Sequence, residues 1–197
     1  MTTTRVPAAE ITGPLGAIAK RTCRKKIGDV PESLGVMWHN QRVLRSFFGF
    51  SAKADRWDAC DRQLKSFAHM AAVAVVGCSA CLDFGYFRAR DEQLDMEKAR
   101  EVPRWRESAL FTPLERDVLE YAEAMSQTPP AVTDELSARL LAALGAPALV
   151  ELTAFVAAAN MASRANVTLG IESQGFATAC GLPPLATPAP SRVASAA

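Results

Sequence analysis

Residues 73–90, VAVVGCSACLDFGYFRAR, constrain this chain more than any other stretch. An apolar run closes at Gly77, two cysteines follow three residues apart, and an aromatic-rich segment of helical pattern leads away. With Cys78 at or near the start of a helix, Cys81 lies one turn on and on the same face, so both sulfurs meet in one small site. A thiol at a helix N-terminus also feels unpaired main-chain N–H groups and the positive end of the helix dipole, which favour thiolate. A Cys-x-x-Cys pair made reactive in this way is the chemical centre that the rest of the chain scaffolds.

Other uses of the pair have to be weighed. A structural zinc site takes four ligands, as two such pairs or as one pair with histidines. Here there is one pair, with Cys23, Cys60 and Cys180 scattered and with His39 and His69 as the histidines. Two cysteines packed as small apolar residues are the plainer alternative, since free Cys is often buried. Cys-x-x-Cys at a junction into a helix favours thiol or redox chemistry. No metal and no cofactor is expected.

Composition narrows the class. Apolar residues make up 49% and charged ones 22% of 197 residues, as in an ordinary globular chain. A net charge of +1 gives no whole-protein pull toward nucleic acid or a membrane surface. Five cysteines in a chain this long do not make a secreted disulfide scaffold. The longest apolar run, residues 70–82, is broken by Gly77 and Ser79 and is too short to span a bilayer. No charged segment followed by an apolar one opens the chain as a signal peptide would. These features together lead us to expect a cytoplasmic protein whose thiols are normally reduced. No segment keeps a period-two alternation, so the expected class is all-α.

Taken in order, residues 1–11 are polar and threonine-rich and read as a flexible terminus. Thr12-Gly13-Pro14 reads as a helix start, with the stop at Gly28. Over residues 1–60 there are ten Lys/Arg against five Asp/Glu, a basic front without interleaved aromatics, which suits a solvated face or subunit contact better than nucleic acid. Pro31 opens a helix through PESLGVMWHNQRVLRSFFGF, whose Trp38, Phe47 and Phe48 are too apolar for a free surface; His39 reads as a packing residue. A longer helix is expected over residues 55–76 with Trp57, Leu64, Phe67 and Ala71 inside, and Cys60 as a structural thiol. Residues 90–100 read as charged turns. Thr112-Pro113-Leu114-Glu115 has N-cap, first-turn proline and capping-box glutamate. Thr133 caps the next helix, with Leu136, Leu140, Leu141 and Leu144 as its stripe. After Pro147 comes a long Ala-rich helix on which Asn160 and Arg164, four apart, share a face. The single domain is expected over residues 12–180, with 181–197 a disordered Pro/Ala-rich tail.

Three pieces in this order, LKSFAHMAAVAVV, then GCSACLDFG, then ELTAFVAAANMASRANVTLGI, resemble the carboxymuconolactone decarboxylase / alkylhydroperoxidase D-like family over roughly residues 30–176. The resemblance implies an all-helical fold that assembles into a homo-trimer or homo-hexamer. It implies reduction of a peroxide, or of a peroxidase partner, with electrons returned by a thiol reductant or redox partner protein. By similarity Cys81 is the attacking thiol and Cys78 its disulfide partner.

The chain departs from the family where a proton relay would sit. Members with full peroxidase machinery carry a glutamate twelve residues before the first cysteine and a histidine four after the second. This chain has Ser66 and Gly85 there. His69, one turn past Ser66, is the candidate replacement base, and its competing reading is a buried histidine holding a main-chain carbonyl. Asp83 is the nearest acid, although an ideal helix points it away from the two cysteines, toward a solvated or capping role. Three functions follow for test: a thiol-dependent peroxidase-like antioxidant enzyme, a catalytically weak oligomeric binder of a small molecule or partner, and a lactone decarboxylase-like enzyme. The cysteine pair argues against the last, because that branch works without one.

Overall fold

The main core is arranged around one helix, residues 62–76. The computed structural model describes residues 4–187, and among them there is no strand. Ten helices follow in order: α1 (Gly13–Ile27), α2 (Glu32–Trp38), α3 (Gln41–Ala54), α4 (Arg62–Val76), α5 (Ser79–Asp91), α6 (Met96–Glu101), α7 (Pro113–Ser126), α8 (Asp134–Leu144), α9 (Ala146–Leu169) and α10 (Phe176–Ala179), with a single 3-10 turn at Val102–Arg104. α4 packs against α7, α9 and α5 at once. Its Phe67, Met70 and Val73 are essentially sealed from solvent, beside Leu119, Leu152 and Val156 from the surrounding helices. Each such side chain stabilises the fold by about 1.5–3 kcal/mol through burial alone. Small residues (Ala68, Ala71, Ala72) let the neighbours come close.

The strong local signals give the expected helices. Thr112 and Glu115 close a reciprocal capping box at α7, and Thr133 accepts from Leu136 N at α8. Of the α8 stripe, Leu136 and Leu140 are buried, whereas Leu141 faces solvent.

Four expectations need correction, each for a stated reason. The helix expected to run unbroken from Pro31 is two, because the Asn40 side chain accepts from Val43 N and starts α3 afresh. α4 begins at Arg62 rather than near residue 55. Asp61 caps it through Leu64 N, and tertiary bonds hold the preceding loop out of the helix: Ala59 N donates to Glu151 and Lys65 Nζ donates to the Trp57 carbonyl. Residues 90–100 contain α6, capped by Asp95. The two termini also dock. Arg5 N donates to the Leu169 carbonyl, Ala9 N donates to the Gly35 carbonyl, and Ile11 is buried with Leu34 and Leu44 in a small second core. At the other end Leu182 and Leu185 pack on the main core, Ala186 N donates to the Arg100 carbonyl, and Arg100 Nε donates to the Pro184 carbonyl. Residues 181–187 are therefore held along α6; the remainder of the expected tail, and residues 1–3, lie outside the described residues.

α9 is long and apolar enough to cross a bilayer by length and composition, yet its inner face, Leu152, Val156, Ala159 and Ser163, belongs to the core. Its outer face leaves Val150 69% and Met161 46% exposed.

Candidate active site

The site begins with the end of α4. Gly77 takes a left-handed conformation (φ 80°), and Cys78 N donates back to the Val73 carbonyl at 3.0 Å, so the chain reverses in one residue. Cys78 then serves as the N-cap of α5, its Sγ accepting from Cys81 N at 3.2 Å. The expected geometry follows: the two Cα atoms lie 5.3 Å apart and the sulfurs are joined in a disulfide. Cys78 is 1% exposed, whereas Cys81 is half-buried.

His69 comes to this turn from α4. Its ring lies 6.2 Å from the Phe155 ring, and the Cys81 main chain is among the groups that act on its protonation. The space it occupies is the space that Gly85 leaves: a Cβ there would stand 3.2 Å from His69 Cδ2 and 3.2 Å from Met70 Cγ. Burial, and then the Arg88 guanidinium, push the His69 pKa down to about 4, with the Cys81 carbonyl and Asp55 opposing. His69 is thus neutral at pH 7 while the disulfide is intact, and lies well below the ordinary value of 6.5.

Asp83, the nearest acid in sequence, serves as an anchor. It is buried on the face of α5 away from the cysteines and accepts from Ser173 Oγ, Phe176 N and Ala177 N at 2.8, 2.8 and 2.9 Å. Ser79 Oγ also accepts from Ser173 N. Segment 173–177 is thereby tied to the first two turns of α5, and no carboxylate oxygen is offered to the sulfurs.

Asn160 and Arg164 share a face as expected and are used structurally. Asn160 Nδ2 donates to Ser126 Oγ and the Val156 carbonyl; Arg164 donates to the Ser126 carbonyl and Thr128 Oγ1. They hold the connection between α7 and α8. His39 is hydrogen-bonded to the Pro7 carbonyl, and Cys60 is a buried thiol pushed up to about 11, chiefly by burial. Among the described residues no three His, Cys, Asp or Glu side chains gather as metal ligands.

One residue at the site escaped the sequence. Asn166, near the end of α9, donates from Nδ2 to Cys81 Sγ at 3.3 Å. Its only signal was a polar residue in an Ala-rich helix, and no spacing connects it to a cysteine 85 positions earlier.

With this geometry in hand, comparison with known proteins is informative. Residues 41–124 match the model of the carboxymuconolactone decarboxylase family, a span holding α3 to α7 and both cysteines. The uncharacterized protein YnjA of Escherichia coli K12 is 41% identical over 106 residues, 54% of this chain and 57% of YnjA, so the likeness spans little more than half the length of that relative. Among solved structures, the debrominase Bmp8 superposes with a TM-score of 0.77 at 20% identity over 89% of this chain and 95% of that one. An uncharacterized peroxidase-related protein from Ralstonia eutropha JMP134 with an alkylhydroperoxidase AhpD core gives 0.74 at 18% identity over the same 89% and 95%. At these identities the structural likeness concerns the fold.

Proposed function

We propose that this chain, belonging to the carboxymuconolactone decarboxylase family through residues 41–124, is a thiol-dependent peroxidase-like reductase working through Cys78 and Cys81. The observation that carries the reading is their disulfide across the first turn of α5, with Cys78 sealed and Cys81 only partly buried. In the reduced protein Cys81 is the attacking thiolate and His69 takes its proton. The sulfur attacks the hydroperoxide: an S–O bond forms, the O–O bond breaks with its electron pair on the departing alkoxide, and the alkoxide takes a proton from the His69 imidazolium. Cys78 then attacks the Cys81 sulfenic acid: the S–S bond forms, the S–O bond breaks, and the departing hydroxide takes the proton given up by the Cys78 thiol and leaves as water. Two electrons have passed from the thiols to the peroxide, and an external thiol reductant or redox partner protein restores the pair. Such cycling suits a reducing compartment, so a cytoplasmic location belongs to the same proposal.

The test is direct. The reduced protein is expected to form the Cys78–Cys81 disulfide with one equivalent of alkyl hydroperoxide, followed by mass spectrometry of the peptides, and Cys81→Ser is expected to abolish it. A protein that stays reduced, with both thiols near the ordinary pKa of about 8.5, would instead be a helical binding protein with packed cysteines. Turnover of a lactone substrate by a variant lacking both cysteines would reassign it to the decarboxylase branch. A halogenated pyrrole belongs in the same assay as a second electrophile, given the fold shared with Bmp8.

The same reading includes self-assembly. The exposed face of α9, with Val150 and Met161, and exposed Phe48 on α3 leave more apolar surface than a solitary bundle needs. A trimer or hexamer is expected by light scattering at micromolar concentration; a monomer there would contradict it.

A further inference from the structure

We propose that Asn166 is a catalytic residue of this site: its side-chain amide holds the negative charge of the Cys81 thiolate. The inference rests on the thiol reading above and adds to it a group that stabilises the ionised Cys81. Three observations converge. Asn166 Nδ2 stands 3.3 Å from Cys81 Sγ, and the cysteine it meets is the half-buried one. The amide comes from a rigid place. α9 ends at Gly170 in a left-handed conformation (φ 71°), and the Asn166 carbonyl accepts from Ile171 N at 2.9 Å, which fixes the turn carrying the side chain. Segment 173–177 beyond it is tied to α5 through Ser79 and Asp83, so donor and sulfur are held to one another from both sides.

The energetic asymmetry gives the contact its role. A disulfide sulfur is a weak acceptor, whereas a thiolate is a full anion, so one N–H donor stabilises the reduced, ionised state far more than the oxidised one. Cys78 Sγ already receives Cys81 N, the N-cap bond of α5. Each sulfur of the pair therefore has its own donor: the buried one a main-chain N–H, the half-buried one an amide from a distant helix. The ionisable neighbours are His69 on α4, at the Cys81 carbonyl, with Arg88 and Asp55 acting on that ring, and Asp83, which is turned to α10. Asn166 itself carries no titratable charge, so its amide offers the same donor wherever Cys81 is ionised.

Two variants of the full-length reduced protein test this. Asn166→Asp is nearly isosteric but offers an acceptor in place of the donor; Asn166→Ala removes the group. The readout is the pH dependence of iodoacetamide alkylation at Cys81, followed by peptide mass, together with the melting temperature. Asn166→Ala is expected to raise the Cys81 thiol pKa by about one pH unit, and Asn166→Asp by more. Alkylation at pH 7 is expected to slow up to about tenfold. A residue that merely packs would move the melting temperature and leave the alkylation profile in place. Unchanged profiles in both variants overturn the proposal, and if Asn166→Ala fails to fold, Asn166→Asp decides alone. Alkylation requires no peroxide, so the two readings fail separately. Unchanged profiles with normal peroxide oxidation remove Asn166 and leave the redox reading; shifted profiles without peroxide oxidation do the reverse.

Discussion

His69→Gln is expected to slow the reaction of Cys81 with hydroperoxide by roughly 10²-fold or more, with the fold intact. The imidazole is neutral at pH 7, its pKa lowered to about 4 by burial and by Arg88 while the disulfide stands. On the proposed mechanism reduction gives a Cys81 thiolate, and an opposite charge near the ring would draw a proton onto it. Stopped-flow oxidation of the reduced protein checks the rate; an unchanged rate would leave His69 as a packing residue. The same ring makes a second, independent mark on stability. Its folded pKa lies below the unfolded value of 6.5, so its contribution is complete above about 6.5 and is lost as pH falls through about 4. Urea denaturation between pH 7 and 4 is expected to show a flatter decline for His69→Gln than for the parent protein.

The largest loss of stability is expected at Glu151. Its carboxylate and the Lys65 ammonium form an ion pair at 2.6 Å with side chains 9% and 7% exposed. Burial alone would lift the Glu151 carboxyl. The Lys65 ammonium and the main-chain N–H groups of Ala59 and Cys60 more than offset this and hold it below the ordinary carboxylate range. Glu151→Ala strands the Lys65 charge inside and frees the loop before α4, with an expected cost of about 3–5 kcal/mol in urea denaturation. Lys65→Met together with Glu151→Leu is expected to recover most of it, because the desolvation of both charges disappears with them. If the double variant is as unstable as the single one, the pair contributes more than charge compensation.

What could be read from the sequence was local chemistry. The capping box at Thr112, the cap at Thr133, the stop at Gly77 and the placement of Cys78 at a helix start depend on residues within one turn of each other. Asp83 was read as pointing away from the sulfurs, and it does; the partner it points to, Ala177 N, is 94 residues later and left no mark on the pattern. The start of α4 was misplaced because Glu151, 92 residues from Ala59, holds the loop that propensity would make helical. Residues 182–186 read as a tail because their partners are distant: Arg100 bonds Pro184 and Ala186, and Leu182 and Leu185 reach the core across a Pro-rich segment with no local pattern. His69 as a neighbour of the cysteines followed from helix geometry, whereas the space that admits its ring follows from the hydrogen on Gly85.

The tie between segment 173–177 and the first turns of α5 also sets an order of events during synthesis. Cys78 and Cys81 leave the ribosome about 90 residues before Ser173, Phe176 and Ala177, which complete the turn around them. Cys78 and Cys81 stand three residues apart, so the two thiols are neighbours along the chain while Asn166 is still untranslated. The nascent chain therefore carries a paired but unfinished thiol site, and the donor to Cys81 arrives only with the last helices. Chains arrested before residue 166 are expected to present these cysteines to oxidants and to other thiols without the amide that distinguishes one sulfur from the other.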